Sequence, residues 1–119
     1  MKYIDLYLLP VPEANIPAYK KVAAKFGKIA KEHGMLSYNE FMGNDLEAKE
    51  GLQSFVKAAK PKDGETVVVA VAEFKSRAHR DQVMKKLMAD PRMAEIEPET
   101  PLFSMKKMHY GGFSGIVSA

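Results

Sequence analysis

The chain has 119 residues, 46% of them hydrophobic and 28% charged, which suits one domain built on one modest core. Eighteen basic against fifteen acidic residues leave a net charge of +3, too little to argue for a nucleic-acid partner. The absence of cysteine excludes disulfides, thiol nucleophiles and thiolate metal sites, and the opening MKYIDLYLLPVPE is too short and interrupted for a signal peptide or membrane span. A cytoplasmic protein with no membrane partner is expected.

Residues 2–9 alternate, with Ile4, Leu6 and Leu8 on one side and Tyr3, Asp5, Tyr7 and Leu9 on the other. That pattern predicts a first strand, ended by Pro10 and Pro12. Asn15 is placed to cap a helix, and Pro17 fits its first turn. Tyr19, Val22, Ala23, Phe26, Ile29 and Ala30 recur at helical spacing until Gly34 offers a stop. Gly27 within this helix suggests close approach to a neighbouring element. Lys20, Lys21, Lys25, Lys28 and Lys31 make the helix basic, as a solvated face or as a surface for an anionic partner. Residues 35–43 predict a second strand with Leu36, Tyr38, Glu40 and Met42 on one face. Residues 44–64 are polar and broken by Gly51, Pro61 and Gly64, and they predict a long loop or lid. Within it, residues 52–59 are compatible with a short helix or an irregular strand.

The stretch Glu65–Arg92 organises the rest. ETVVVAVAEF is a run of β-branched and small apolar residues, bounded by Asp63–Gly64 and Ser76, and it predicts a strand apolar on both faces. Ser76 is a good N-cap for a helix carrying Val83, Met84, Leu87 and Met88 on one stripe, and Pro91 stops that helix near Asp90. Residues 93–96 add a helical turn. After Pro98 and Pro101, residues 104–113 predict a last strand, in which Gly111–Gly112 marks a bulge or a close backbone contact. Ile116 and Val117 form a short apolar tail expected to dock.

The order β-α-β-β-α-β predicts a single α+β domain over residues 1–119: a ferredoxin-like four-stranded antiparallel sheet with two helices on one face. Apolar residues on the uncovered face predict a homodimer packed sheet to sheet.

The segments YIDLYLLPVP, KSRAHRDQVMKKLMADPRM and KKMHYGGF resemble the YbaA-like family of uncharacterised bacterial proteins. The resemblance runs over nearly the whole chain. Its most specific parts are Lys75-Ser76-Arg77-Ala78-His79-Arg80-Asp81, Asp90-Pro91-Arg92 and Tyr110-Gly111-Gly112-Phe113. That family is similar to the dimeric α/β-barrel superfamily, which implies the same fold. The superfamily includes cofactor-independent monooxygenases, isomerases, haem-degrading enzymes and proteins with no known activity. The resemblance transfers no residue roles. His109 stands where an apolar residue is expected.

Several side chains carry candidate chemistry. His79, in the first turn of the second helix, titrates in a useful range and is the candidate catalytic base; the alternative is a histidine packed at the helix start. Glu40 and Glu73 join Asp5 as carboxylates on apolar strands, costly there unless paired or protonated. Glu73 is a candidate barrel acid or base, or a solvated strand end near Lys75. Tyr38, Glu40, Glu73 and Arg80 are the candidate substrate-binding residues. Tyr3, Tyr7 and Tyr110 are further candidates to line a pocket, and Arg77, Arg80 and Arg92 either clamp an anion or form salt bridges. His33, before Gly34, suits a helix C-terminus. The three histidines lack metal-site spacing, and no phosphate loop, dinucleotide fingerprint or serine elbow is present, so neither metal nor cofactor is expected. The helix histidine of haem-binding relatives makes His79 the one position to check by absorbance. The expected function is binding of a small organic molecule between sheet and helices, with cofactor-independent oxygenase or isomerase activity. The alternative is a non-enzymatic structural or interaction protein with a packed barrel core.

Overall fold

A computed structural model of the chain describes residues 1–119. Strands β1 (Tyr3–Pro12), β2 (Ser37–Met42), β3 (Glu65–Phe74) and β4 (His109–Ser114) alternate with helices α1 (Ile16–Glu32), α2 (Phe55–Ala59), α3 (Arg77–Met88) and α4 (Arg92–Ile96). Short 3-10 turns occupy Glu13–Asn15 and Met105–Lys107. The strands form one antiparallel sheet ordered β2-β3-β1-β4. This is the ferredoxin-like α+β arrangement expected from the pattern of strands and helices.

The Val-rich stretch is the central strand β3, paired with β1 along all ten residues. Its Val68, Ala70, Ala72 and Phe74 are buried towards the helices, while Val69, Val71 and Glu73 are half-buried on the other face. α3 delivers Val83 and Leu87, and α1 delivers Ile29 and Ala30, into one cluster with Phe74, Ala72, Tyr3 and Met35. Fully burying a side chain of the size of Phe74 or Leu87 contributes about 1.5–3 kcal/mol. A second cluster, Leu9, Val11 and Val68, lies under Tyr19 and Phe103. Gly27 permits the predicted close approach: a Cβ there would lie 3.0 Å from the Tyr38 ring.

Four expectations are revised. β1 continues through Pro10 and Pro12 instead of ending at them. Residues on an antiparallel strand bond alternately to the two neighbours. Lys2 accepts from Gly115 and Glu13 donates to Gly64, so the even-numbered residues of β1 face β4 and the odd-numbered ones face β3. β4 pairs only with residues 3–8, so the missing N–H groups of Pro10 and Pro12 break no ladder bond. The Asn15 side chain does not cap α1; it donates to the Leu102 carbonyl at 3.0 Å, tying the approach to β4 onto the helix start. β4 begins at His109 because residues 105–107 wind into a 3-10 turn; of the two readings of Gly111–Gly112 the close contact holds, since the register is unbroken and a Cβ on Gly112 would collide with the Tyr3 hydroxyl. The tail does not dock within the protomer: Ile116 is 86% and Val117 79% exposed.

Residues 52–59 resolve as the helix α2, capped by Ser54, whose hydroxyl accepts from the Val56 amide at 3.1 Å. Lys60 closes it in the left-handed region, φ 49°. The open sheet face carries Ile4, Leu6, Leu8, Val69 and Val71, with Phe41 and Phe113 exposed at its flanks. Phe55 of α2 reaches the rim of an apolar hollow on this face. No helix is long and apolar enough to cross a membrane.

A candidate site between the sheet and α3

Strand register places the polar side chains of the covered face in two rows. One row runs Glu40, Ala70, Tyr7, Tyr110 across β2, β3, β1 and β4; the next runs Tyr38, Ala72, Asp5, Gly112. Near β4 a cavity of about 630 Å³ opens between the sheet and α3. Its floor is Asp5, Tyr7 and Tyr110, and Arg80 enters from α3. Its walls are largely thioether: Met84 and Met88 lie one turn apart on α3, and Met105 and Met108 come from the turn before β4.

Asp5 is 1% exposed. Its Oδ1 accepts from Arg80 Nη1 at 2.7 Å and from the Tyr110 hydroxyl at 3.1 Å. Arg80 Nη1 also donates to the Tyr110 oxygen at 2.5 Å, so the three groups form a closed triangle. Arg80 Nε donates to Asp81 at 2.8 Å, and the guanidinium sits 5.1 Å from the centre of the Tyr3 ring. Burial pushes the Asp5 carboxyl above its ordinary range, against the opposing pull of Arg80 and the Tyr110 hydrogen bond. Burial alone would lower the Arg80 guanidinium, but the Asp81 hydrogen bond and the Asp5 charge outweigh it, and the group stays charged. Burial, then the nearby Asp5 charge, raise Tyr7 to about 12, and the same two causes raise Tyr110. Both phenols are therefore proton donors at neutral pH.

A second cluster lies on the same face towards α1. Glu40 accepts from Tyr19 on one oxygen and from Tyr38 on the other. Burial, with the charge and hydrogen bonds of Glu40, holds both phenols well above the usual tyrosine range. The Tyr38 ring packs edge-on against Phe26 at 4.9 Å.

The sequence-derived candidates thus separate. Arg80 lines the cavity, and Tyr38 and Glu40 lie on the same covered face in the neighbouring cluster. Glu73 lies on the opposite face and pairs with Lys2 at 3.3 Å. His79 sits at the strand–helix turn: its Nδ1 accepts from the Lys75 amide at 3.0 Å and its ring meets Phe74. A Cβ on Gly34 would lie 3.4 Å from its Nε2, so the ring wedges between the end of α1 and the start of α3. Arg92 pairs with Asp90 at 2.8 Å and Glu32 at 3.1 Å, and His33 bonds Asp90 at 2.8 Å. These ion pairs join the end of α1 to α4. His109 is exposed on the open face beside the apolar hollow. No three His, Asp or Glu side chains gather as metal donors.

Sequence reasoning marks Asp5 as a costly strand carboxylate and Tyr110 as a pocket candidate, but it does not join either to Arg80. The available signal is one carboxylate alternating with Tyr3 and Tyr7 on a strand face. That Gly112 lies opposite Asp5, and that α3 aims Arg80 at it, are facts of register and packing.

A four-stranded antiparallel sheet with helices on one face, and a cavity between them, defines a ferredoxin-like α+β protein. Residues 2–105 match the family described as protein of unknown function (DUF1428), and the chain belongs to that family. It is 37% identical over 117 residues to the uncharacterized protein YbaA of Escherichia coli K12, covering 98% of each chain, and equally to that of Shigella flexneri. Among solved structures it is similar to a NIPSNAP family protein with unknown function from Agrobacterium tumefaciens, at TM-score 0.57 and 22% identity, covering 94% of this chain and 86% of that one. SnoaB, a cofactor-independent oxygenase from Streptomyces nogalater, aligns at TM-score 0.57 and 12% identity over 98% and 95% of the two chains. These structural likenesses are to the fold alone.

Proposed function

We propose that the protein is a cytoplasmic homodimer that binds a small organic molecule between its sheet and α3, in a site equipped for proton transfer. The observation that carries this reading is the cavity of about 630 Å³ with the Asp5–Arg80–Tyr110 triangle at its floor. Its size falls in the range of sites for small ligands, and its make-up, apolar walls with a few convergent polar groups, is theirs as well. A buried, upward-shifted carboxyl beside a fixed cation is the pairing expected of an acid–base site. Cofactor-independent oxygenase or isomerase chemistry fits this equipment. In this assignment Asp5 exchanges the proton and Arg80 holds the ligand, with Tyr38 and Glu40 shaping the neighbouring floor. His79, whose Nδ1 is engaged by a backbone amide, supports the turn that aims Arg80. The homodimer reading rests on the apolar open face, which two copies would bury against each other.

Native mass spectrometry of gently purified protein, compared with its denatured mass, tests both parts. The expected result is a dimer with extra non-covalent mass, lost in Arg80→Ala. A bare dimer would move weight to an interaction protein, for which the exposed Leu52 and Phe55 of the 44–64 segment are the surface. A bare monomer would contradict the dimer.

A further inference from the structure

The Asp5–Arg80 pair is not closed on itself. Arg80 Nη1 and Nε are spent on Asp5, Tyr110 and Asp81, and Asp5 Oδ1 takes both bonds made to that carboxylate. Arg80 Nη2 and Asp5 Oδ2 have no partner within the chain. No buried side-chain nitrogen or oxygen lacks a partner, so both atoms keep some access to solvent, and both belong to residues that line the cavity. What remains is a fixed cationic donor beside a carboxylate oxygen whose own position is held by Tyr110 and Arg80.

The charges around the cavity also cancel. Asp5 and Asp81 balance Arg80 and Lys85, so nothing selects a strongly charged ligand. Four methionines and two tyrosines supply walls that adapt to a flat apolar body. The ligand such a site recognises is therefore neutral and apolar, with one oxygen to accept from Arg80 and one weakly acidic hydrogen to meet Asp5.

We propose that the substrate is an apolar ketone with an enolisable α-carbon, Asp5 Oδ2 being the base and Arg80 Nη2 the donor to the enolate oxygen. This rests on the cavity reading above and names its substrate class. In the step, the α C–H bond breaks and its proton passes to Asp5. The electron pair forms the enolate C=C bond, and the carbonyl π pair moves to the oxygen facing Arg80. Return of the proton to carbon completes an exchange or an isomerisation without any co-reactant. Electrostatic stabilisation of the enolate by a donor already held in place is the main source of rate.

The test uses 2-tetralone, 1-indanone and cyclohexanone in D2O near neutral pD. Loss of α-protons is followed by proton NMR, and binding by saturation transfer. The wild type is expected to bind at least one ketone and to accelerate its exchange; Asp5→Asn is expected to bind it and to lose about 100-fold or more of the acceleration. Binding without acceleration, or acceleration untouched in Asp5→Asn, overturns the inference and leaves the cavity reading standing. No ketone binding by a protein that carries an occupant in native mass spectrometry overturns the ketone class alone. No ketone binding and no occupant together remove the cavity reading. Tyr110→Phe is the second variant, since Tyr110 is 56% exposed and its ring is retained. It removes a hydrogen bond that lowers the Asp5 pKa, so the rising limb of exchange against pH moves to higher pH. A limb that stays in place overturns the role of Asp5.

Discussion

At the scale of single residues, several polar groups of the covered face meet particular partners. Glu40 is the clearest case, because each carboxylate oxygen accepts from one phenol. A hydrogen bond to a charged group contributes about 1.5–3 kcal/mol. Tyr38→Phe should therefore lower stability at pH 7 by about 2 kcal/mol in urea unfolding. The sign of its pH dependence follows from the raised folded-state pKa of Tyr38. The native state keeps the proton where the unfolded chain loses it, so the tyrosine's contribution is complete below pH 10 and declines as pH rises above it. The gap between wild type and Tyr38→Phe should accordingly narrow in alkaline solution; a gap that widens would contradict this account. The carboxylates illustrate what a linear reading conveys. Asp5, Glu40 and Glu73 look alike in sequence, each a charge on an apolar strand. Only the parity of the strand separates Glu73, on the open face beside Lys2, from the other two, and only packing supplies their partners.

At the scale of elements, the strand–turn–helix unit from Glu65 to Met88 was the most legible part of the chain, for local reasons. Its β-branched run, its Ser76 cap and its helical stripe all act over a few residues. Ser76 accepts from the His79 amide at 3.0 Å, while the His79 ring accepts from the Lys75 amide at 3.0 Å, so the turn is bonded from both sides. Ser76→Ala should cost about 1 kcal/mol, read in thermal or urea unfolding. His79→Ala should likewise lower stability, and ligand binding should weaken only in proportion to unfolding. A His79→Ala variant of full stability that no longer binds would give His79 a direct part in the site. The end of β1 was less legible, because whether a proline breaks a strand depends on where the adjacent strand stops. That is a long-range property: the relevant neighbour of Pro10 begins almost a hundred residues later.

At the scale of the whole molecule, the two faces of the sheet have different tasks. The helix-covered face holds the cavity, and the open face is available to a second copy. Phe41 and Phe113 are 56% and 51% exposed on the protomer, so replacing them costs the monomer little. Phe41→Lys with Phe113→Lys should convert the proposed dimer to monomer in sedimentation velocity while leaving circular dichroism unchanged. A double variant that still sediments as a dimer would place the interface elsewhere. The fold class and the apolar character of both faces were readable from alternation, whereas the cavity was not, since its lining combines β1, β4, α3 and the turn before β4. The prolines of β1 also bear on how the chain behaves in a crowded solution. Beyond Leu8 that strand has no β4 beside it, and at positions 10 and 12 it offers carbonyls but no N–H donors to that side. A foreign strand arriving there finds half of its ladder missing, so this flank of β1 is a poor template for aggregation.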